Sequence, residues 1–530
     1  MKKMFLIIAL CILAAGAIYA GGSKEATNSS GGTTIKVLFR GPKTDGFDAV
    51  YQEYLRRTKD TLNIALDITF VEPSDYRDKL NLEITSGTDY DLVFDATWLR
   101  LRLLAADKYY ADLRPYFNND AYPGLKKAFL PSVMEANLWY GRMCYIPLYR
   151  AYGSGVPSVH YRQDWADKWG IGQIDSYAKL ERYWAAAKAQ GILPYAATNT
   201  RGFYQMDTFA DNFPNRAAAG LTGFAVAGVN FSTYVKDGKL VAIAPEGAGD
   251  AAFKDFPAPW NRDVAMDRLE VFAEWNKKGY ISPDSLAVLD AASPFNVGQA
   301  ASYIGTLDDV ETILRILPDY SPEAVLGDFV YNGNIRNMQP GSITSSLAAN
   351  NGLAVPESSK KKDAVMRFLD WLFTSKENHD LFELGIQGKD YSINSNGTFK
   401  AITTYPAVWP GYALTWNPNY VTYSEYIVGK NREYRDYERK DTSYILPAIV
   451  GYSSFDGSDV NIASVVAQVK AVSDKVAVTK LHGILSDGTR TFRSAKEMMN
   501  TNIAECYKAG LQTIQDELAR QIQAHLDSQK

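Results

Sequence analysis

Between residues 34 and 98 the chain repeatedly changes its hydrophobic period, and this alternation restricts the folds open to it. "TIKVLFR" (34–40) is β-rich and runs into a Gly-Pro turn, after which Phe47, Val50, Tyr51, Tyr54 and Leu55 recur at helical spacing. "IALDITFVE" puts Ile64, Leu66, Ile68 and Phe70 on alternate positions, the signature of a half-buried strand. "SDYRDKLNLEITSG" predicts a helix capped by Ser74 and stopped near Gly87, and "DLVF" a third strand. A β-α-β-α-β order implies a parallel or mostly parallel sheet with right-handed crossovers. Ligands of such sheets bind outside the carboxyl ends of the strands. The loops Arg40 to Asp45 and Asp95 to Trp98 therefore share one rim.

Downstream the pattern continues as a second α/β region. Helices are predicted over 176–190 and 263–278, the latter with Met266, Leu269, Phe272 and Trp275 on one core-facing side. "AASYIG" (300–305) and "NGLAVP" (351–356) read as strands, and "KKDAVMRFLDWLFTSKENHDLF" as one amphipathic helix. The final helix begins at Ser494, where Glu497 completes a capping box. A chain of 530 residues suggests two or three domains.

The N-terminus bears on destination. Lys2 and Lys3 precede an apolar run of about 17 residues, the lower limit for spanning a bilayer. With a small residue at Ala20, this reads as a signal peptide over 1–20, followed by a flexible Gly/Ser/Thr linker over 21–34. Leu10 before Cys11 argues against a lipoprotein anchor. Export leaves Cys144 and Cys506, read as buried free thiols. Net charge is −4, or −6 once the two leader lysines are gone, and no basic stripe offers itself to nucleic acid.

Catalytic signatures are missing. The four histidines, at 160, 379, 482 and 525, have no metal-ligand spacing, and neither mature cysteine sits in C-x-x-C. No P-loop, G-x-G-x-x-G or G-x-S-x-G occurs. "FDGSDVN" (455–461) lacks the spacing of a calcium loop and reads as an Asx-rich turn. A glycosidase would need two carboxyls about 5 to 9.5 Å apart, and no pair announces itself. These absences together favour binding without chemistry, with no cofactor and no metal.

Several segments carry a resemblance: "TIKVLFRGPKTDGFDAV" behind the leader, "SGTDYDLVFDATWLRLRLLAADKYYADLRPYF", "GRMCYIPLYRAYGSGVPSVHYRQDWADKWGI", "VGQAASYIGT" and "NNGLAVPESSKKKDAVMRFLDWLFTSKENHDLFELGIQGKDY". The chain resembles the extracellular solute-binding proteins of ATP-binding-cassette importers, a family that includes the maltose-binding protein, and within it the large oligosaccharide-binding members. The resemblance implies an α/β, two-lobed periplasmic-binding-protein fold (type II) with a hinge and a central ligand cleft. One lobe would hold 35–148 with 340–390, the other 153–335 with 391–530. It further implies a monomeric periplasmic receptor that hands its ligand to the transmembrane permease subunits of an ABC transporter.

The same resemblance carries the cleft onto Arg40 to Asp45, Asp95 to Trp98, the crossing at Tyr149 to Tyr152, and Thr306 to Asp308. Phe203, Tyr204 and Gln205 align more loosely, as do Trp409 and Trp416. Sugar rings stack their C–H faces on aromatic side chains, while their hydroxyls need the charge-assisted hydrogen bonds of Arg and Asp. Trp98, Tyr152, Tyr204 and Trp416 are thus expected as platforms. Arg40, Asp45, Asp95, Gln205, Thr306 and Asp308 are expected as polar partners. A peptide or other polar solute, an acidic sugar included, and a secreted glycan-degrading enzyme are the alternatives.

Overall fold

The computed structural model describes residues 32–87, 89–149, 151, 156–199, 201–206, 213–288, 290–403, 412–449 and 462–528. The leader, most of the linker, Tyr152, Trp409 and the turn at 455–461 lie outside the described residues. The strands used below are, in chain order, β1 (Thr33–Arg40), β2 (Ile64–Val71), β3 (Leu92–Ala96), β4 (Ile146–Leu148) and β5 (Pro157–Arg162). They continue with β6 (Leu221–Val226), β7 (Val229–Lys236), β8 (Lys239–Pro245), β9 (Ser302–Thr306), β10 (Leu326–Phe329), β11 (Ile343–Thr344) and β12 (Asn351–Ala354).

The first sheet has the order β2-β1-β3-β12-β4. β1 pairs in parallel with β2 and β3, and β12 runs antiparallel to both β3 and β4. β2 is an edge strand, which is why its alternation buries Ile64 and Leu66 but leaves Ile68 and Phe70 partly open. Two buried tyrosines tie helices to this sheet: Tyr54 Oη donates to the Ile64 carbonyl at 2.8 Å, and Tyr76 Oη to that of Phe94 at 2.8 Å. One continuous core covers this sheet from Ile35 to Tyr149 and again from Leu347 to Phe382.

A second sheet, β10-β5-β9, is antiparallel around β5. Its core is strongly aromatic: Trp184, Tyr195, Phe203 and Trp275 pack with centroids 5.1–5.7 Å apart. Trp275 is buried, as its helical register predicts. An antiparallel meander, β6-β7-β8, packs on the C-terminal helices Ala495–Lys508 and Leu511–Ser528. Among the described residues the chain passes between the first core and the others near Tyr149–Val156, Thr344–Leu347 and Leu414–Tyr423.

Four local expectations need correction. Ser74 does not cap the Tyr76–Thr85 helix; Asp75 stands at that position, with no side-chain cap. The long amphipathic segment is two helices, Lys362–Thr374 and Lys376–Leu384, because Ser375 turns extended and its Oγ accepts the Asn378 N–H at 3.2 Å. The final helix likewise breaks at Gly510, whose φ of +106° disfavours any side chain and whose Cβ would meet Val465 at 2.6 Å. Ser494 caps its start as expected, its Oγ accepting the Glu497 N–H at 3.0 Å, but the capping box is not closed: the Glu497 carboxylate accepts the N–H of Arg493 at 2.9 Å instead of that of Ser494. Cys144 and Cys506 are free and buried in separate cores. Among the described residues no helix is long and apolar enough to cross a membrane.

Candidate functional site

Because β1, β2, β3 and β4 share one direction and β12 opposes it, the ends of these strands gather Arg40, Trp98, Tyr149 and Asn351 along one edge. Trp98 stands just past β3 and is 45% exposed. Burying so large an apolar ring is ordinarily favourable, yet its neighbours hold this one out. The indole Nε1 donates to Asn351 Oδ1 at 2.9 Å, and the Arg40 guanidinium lies 5.2 Å from the ring centroid. Phe94 stands 6.3 Å away, and Arg77 donates to the Trp98 carbonyl. Arg40 over the indole is a cation–π contact. Asp45 is exposed in the turn leading to the Phe47–Thr58 helix.

Asp95 does not reach this rim. It is fully buried, and its oxygens take the Tyr110 hydroxyl at 2.7 Å and the N–H groups of Ala96 and Arg100 at 2.7 and 3.0 Å. Burial pushes its carboxyl up to about 6, against those same hydrogen bonds. Its place is to fix the turn that carries Trp98.

Across the crossing, Thr306 ends β9 and its N–H donates to Asp309 Oδ2 at 2.8 Å. Beneath this turn lies His160, fully buried on β5, with Nδ1 2.6 Å from Asp328 and Nε2 3.7 Å from Asp309, the latter an ion-pair separation. Burial would lower the imidazole, but the two carboxylates outweigh it and hold His160 up to about 9.

Asp308 pairs with Arg435, which also pairs with Glu438 at 2.9 Å. Glu438 Oε2 in turn accepts the N–H of Val156, on the far side of the first crossing, at 3.3 Å. Burial pushes the Glu438 carboxyl up to about 7 in spite of Arg435. Asp308 and Trp416 line one cavity of about 60 Å³ together with Glu311, His379, Glu383 and Arg435. The Trp416 carbonyl accepts the Tyr149 N–H at 3.3 Å, which sets it where the chain leaves β4.

The structure thus brings Arg40 to Trp98 and Asp308 to Trp416, but not Phe203, Tyr204 or Gln205 to either pair. Phe203 is core. The Tyr204 ring lies between Arg268 at 5.3 Å and Lys480 at 5.2 Å, and its hydroxyl donates to Glu246 while accepting from Asn230 at 2.7 Å. Gln205 Oε1 accepts the Gly202 N–H at 2.7 Å, closing its own turn. Sequence reasoning missed Asn351, Arg77, Arg435 and Glu438. "NGLAVP" signalled a strand, but only the β3–β12 pairing makes its first residue a partner of Trp98. Among the described residues no group of three His, Cys, Asp or Glu could hold a metal ion.

Comparison with known proteins agrees with this architecture. The sequence profile of the bacterial extracellular solute-binding proteins matches residues 41–379, more than half of the chain. A carbohydrate ABC transporter substrate-binding protein of Streptococcus pneumoniae serotype 4 is 26% identical over 188 residues, covering 35% of this chain and 37% of that relative. The match therefore spans little more than a third of the curated relative's length. Among solved structures, the N-glycan transport solute binding protein of Streptococcus pneumoniae aligns with a TM-score of 0.67 at 17% identity, covering 94% of this chain and 100% of that one. An extracellular solute-binding protein of Bifidobacterium longum subsp. infantis aligns at 0.60 with 15% identity, covering 95% and 99%. At such identities the likeness is one of fold, the two-lobed α/β architecture. With two sheets on separate cores, joined by repeated crossings, and a profile match over most of its length, the chain belongs to the bacterial extracellular solute-binding protein family.

Proposed function

We propose that this protein is the substrate-binding receptor of an ABC importer, capturing an oligosaccharide between its lobes and delivering it intact to a membrane permease. The observation that carries the reading is Trp98: an indole pinned by Asn351, with one guanidinium, Arg40, over the ring and 45% of its surface still exposed at the rim. Such a ring offers a stacking surface, and the guanidinium beside it offers fixed donors for hydroxyl groups. The carbohydrate-transporter name of the pneumococcal relative supports the same reading, as does the complex of the pneumococcal N-glycan protein with Man5GlcNAc. Closure follows when the ligand binds the closed state more tightly than the open one. Asp308, Arg435, Glu438 and Val156 are linked to one another at the far end of the first crossing, so their ion pairs anchor the point where that crossing enters the second lobe.

The protein acts without catalysis and as a monomer, exported behind a signal peptide cleaved after Ala20 and held in the periplasm. Calorimetric titration with neutral and uronic oligosaccharides, followed by product analysis, tests the function. Binding with intact sugar is the expected result; cleavage of any glycan defeats the receptor reading in favour of a hydrolase or lyase. Fractionation of cells producing the full chain tests the location.

A further inference from the structure

A second cavity, of about 30 Å³, lies between the β6–β8 meander, the 213–216 loop and the first turn of the Val264–Lys277 helix. Trp260 and Asp263 line it and are only 6% and 2% exposed. Each keeps one polar atom without a hydrogen-bond partner: the indole Nε1 and the carboxylate Oδ1. The other oxygen of Asp263 is committed, accepting the N–H groups of Gly247 at 2.9 Å and Gly249 at 3.1 Å. Buried polar atoms are normally satisfied. One donor and one acceptor left over beside a single small space call for a group that accepts from the first and donates to the second. A hydroxyl does both, and the space is of a size for about two water-sized groups.

Charge narrows the choice. The cavity carries Arg216 and Arg268, and opposite them Glu246 and Asp263. Arg216 lies 5.2 Å over the Trp260 ring, and Arg268 stands 3.7 Å from Glu246. The two signs balance, so an entering carboxylate gains no net attraction and meets the unpaired Asp263 oxygen directly. The 213–216 loop is fastened to a crossing segment: Asn215 Nδ2 donates to the carbonyls of Gly341 and Ser342 at 3.0 and 2.9 Å, next to β11. One wall of the cavity is therefore anchored beside the crossing, while Glu246 and Arg268 on the other side also hold Tyr204.

We propose that this cavity is a subsite that receives the hydroxymethyl arm of a neutral hexose unit, with Trp260 donating to its oxygen and Asp263 accepting from it. The proposal rests on the oligosaccharide-receptor reading and adds a selectivity to it: neutral hexoses over uronates, and hexoses over pentoses. Two matched pairs of sugars isolate the arm. Cellotriose and xylotriose differ by the hydroxymethyl group, and β-1,4-mannotriose and the mannuronate trimer differ by its oxidation to carboxylate.

The test is calorimetric titration of the full chain with all four. The expected result is that a hydroxymethyl-bearing trisaccharide binds at least about tenfold more tightly than its partner. Trp260→Phe keeps an aromatic wall and loses the N–H; Asp263→Asn keeps an acceptor for the glycine loop and offers a donor to the cavity. Each is expected to erase the tenfold preference over xylotriose while leaving the xylotriose affinity within about twofold, and Asp263→Asn, which removes a like charge, is expected to tighten the mannuronate trimer as well. Equal or tighter binding of xylotriose or the mannuronate trimer overturns the proposal. So does a preference that survives Trp260→Phe, the variant less able to disturb the glycine loop. Sugar binding indifferent to both substitutions removes the subsite but leaves the receptor standing; a chain that binds no sugar at all defeats both.

Discussion

The indole nitrogen of Trp98 donates to the side-chain oxygen of Asn351 at 2.9 Å, joining the turn after β3 to the first residue of the neighbouring β12. The two residues are distant in sequence, and the bond fixes the ring at the rim with Phe94 6.3 Å behind it. Trp98→Ala is expected to weaken oligosaccharide binding by about 10- to 100-fold, and Asn351→Ala by about 3- to 10-fold. Because Trp98 is 45% exposed, neither loss should come with a large fall in stability. Calorimetry paired with thermal melting checks both.

Asn137 is the next most informative position. It is fully buried; its Nδ2 is within 2.7 Å of the Tyr149 hydroxyl and the Leu347 carbonyl, and its Oδ1 accepts from Tyr145 at 2.6 Å and the Ala349 N–H at 2.8 Å. One side chain thereby ties down two crossing segments. Asn137→Leu is expected to cost about 2–4 kcal/mol by stranding those partners. Denaturant unfolding measures the loss, and a ligand affinity changed beyond it reports an altered hinge.

His160 predicts a pH dependence. Its folded value of about 9 lies above its ordinary 6.5, so the stabilisation by Asp309 and Asp328 is complete below pH 6.5 and is lost as pH rises through 9. The amount is on the order of 3 kcal/mol. Melting temperatures between pH 6 and 10 should fall for the wild type, with this component absent in His160→Gln. Parallel curves would contradict the assignment.

Cys144 and Cys506 are expected to stay reduced and unreactive. Burial raises both thiols, Cys506 to about 11, and they belong to different cores. Thiol-specific labelling should need unfolding, with both sites then reacting together. Rapid labelling of the native chain, or a band shifted under non-reducing conditions, would count against this.

Much of the architecture was legible because period-two and period-3.6 patterns are local. β1, β2, β3, the helix over 264–277 and the rim position of Trp98 all follow from spacing plus one topological rule. The rest was not legible, for physical reasons. Asp95 carries the same charge whether at a rim or beneath one, and only the three-dimensional placement of Tyr110 and two backbone N–H groups shows that its lone pairs are spent. Tyr204 reads as a platform until two cations, Arg268 and Lys480, are found on its ring and its hydroxyl is found committed to Glu246 and Asn230, whereas Trp98 carries one cation and stays 45% exposed. The breaks at Ser375 and Gly510 sit inside unbroken apolar periodicity, where a serine's capping bond and a glycine's backbone freedom overrule the pattern. The Asp237–Gly238 turn of the β7–β8 hairpin has positive φ at both residues, +52° and +69°, a signal present in the sequence and passed over.

The most direct test of the account is a crystal structure of the full chain with a bound oligosaccharide. The account predicts an intact sugar held by both lobes, with one ring stacked on the indole of Trp98 and a hydroxyl on Arg40. A sugar seated away from residue 98 on a single lobe, or one found cleaved, would contradict it.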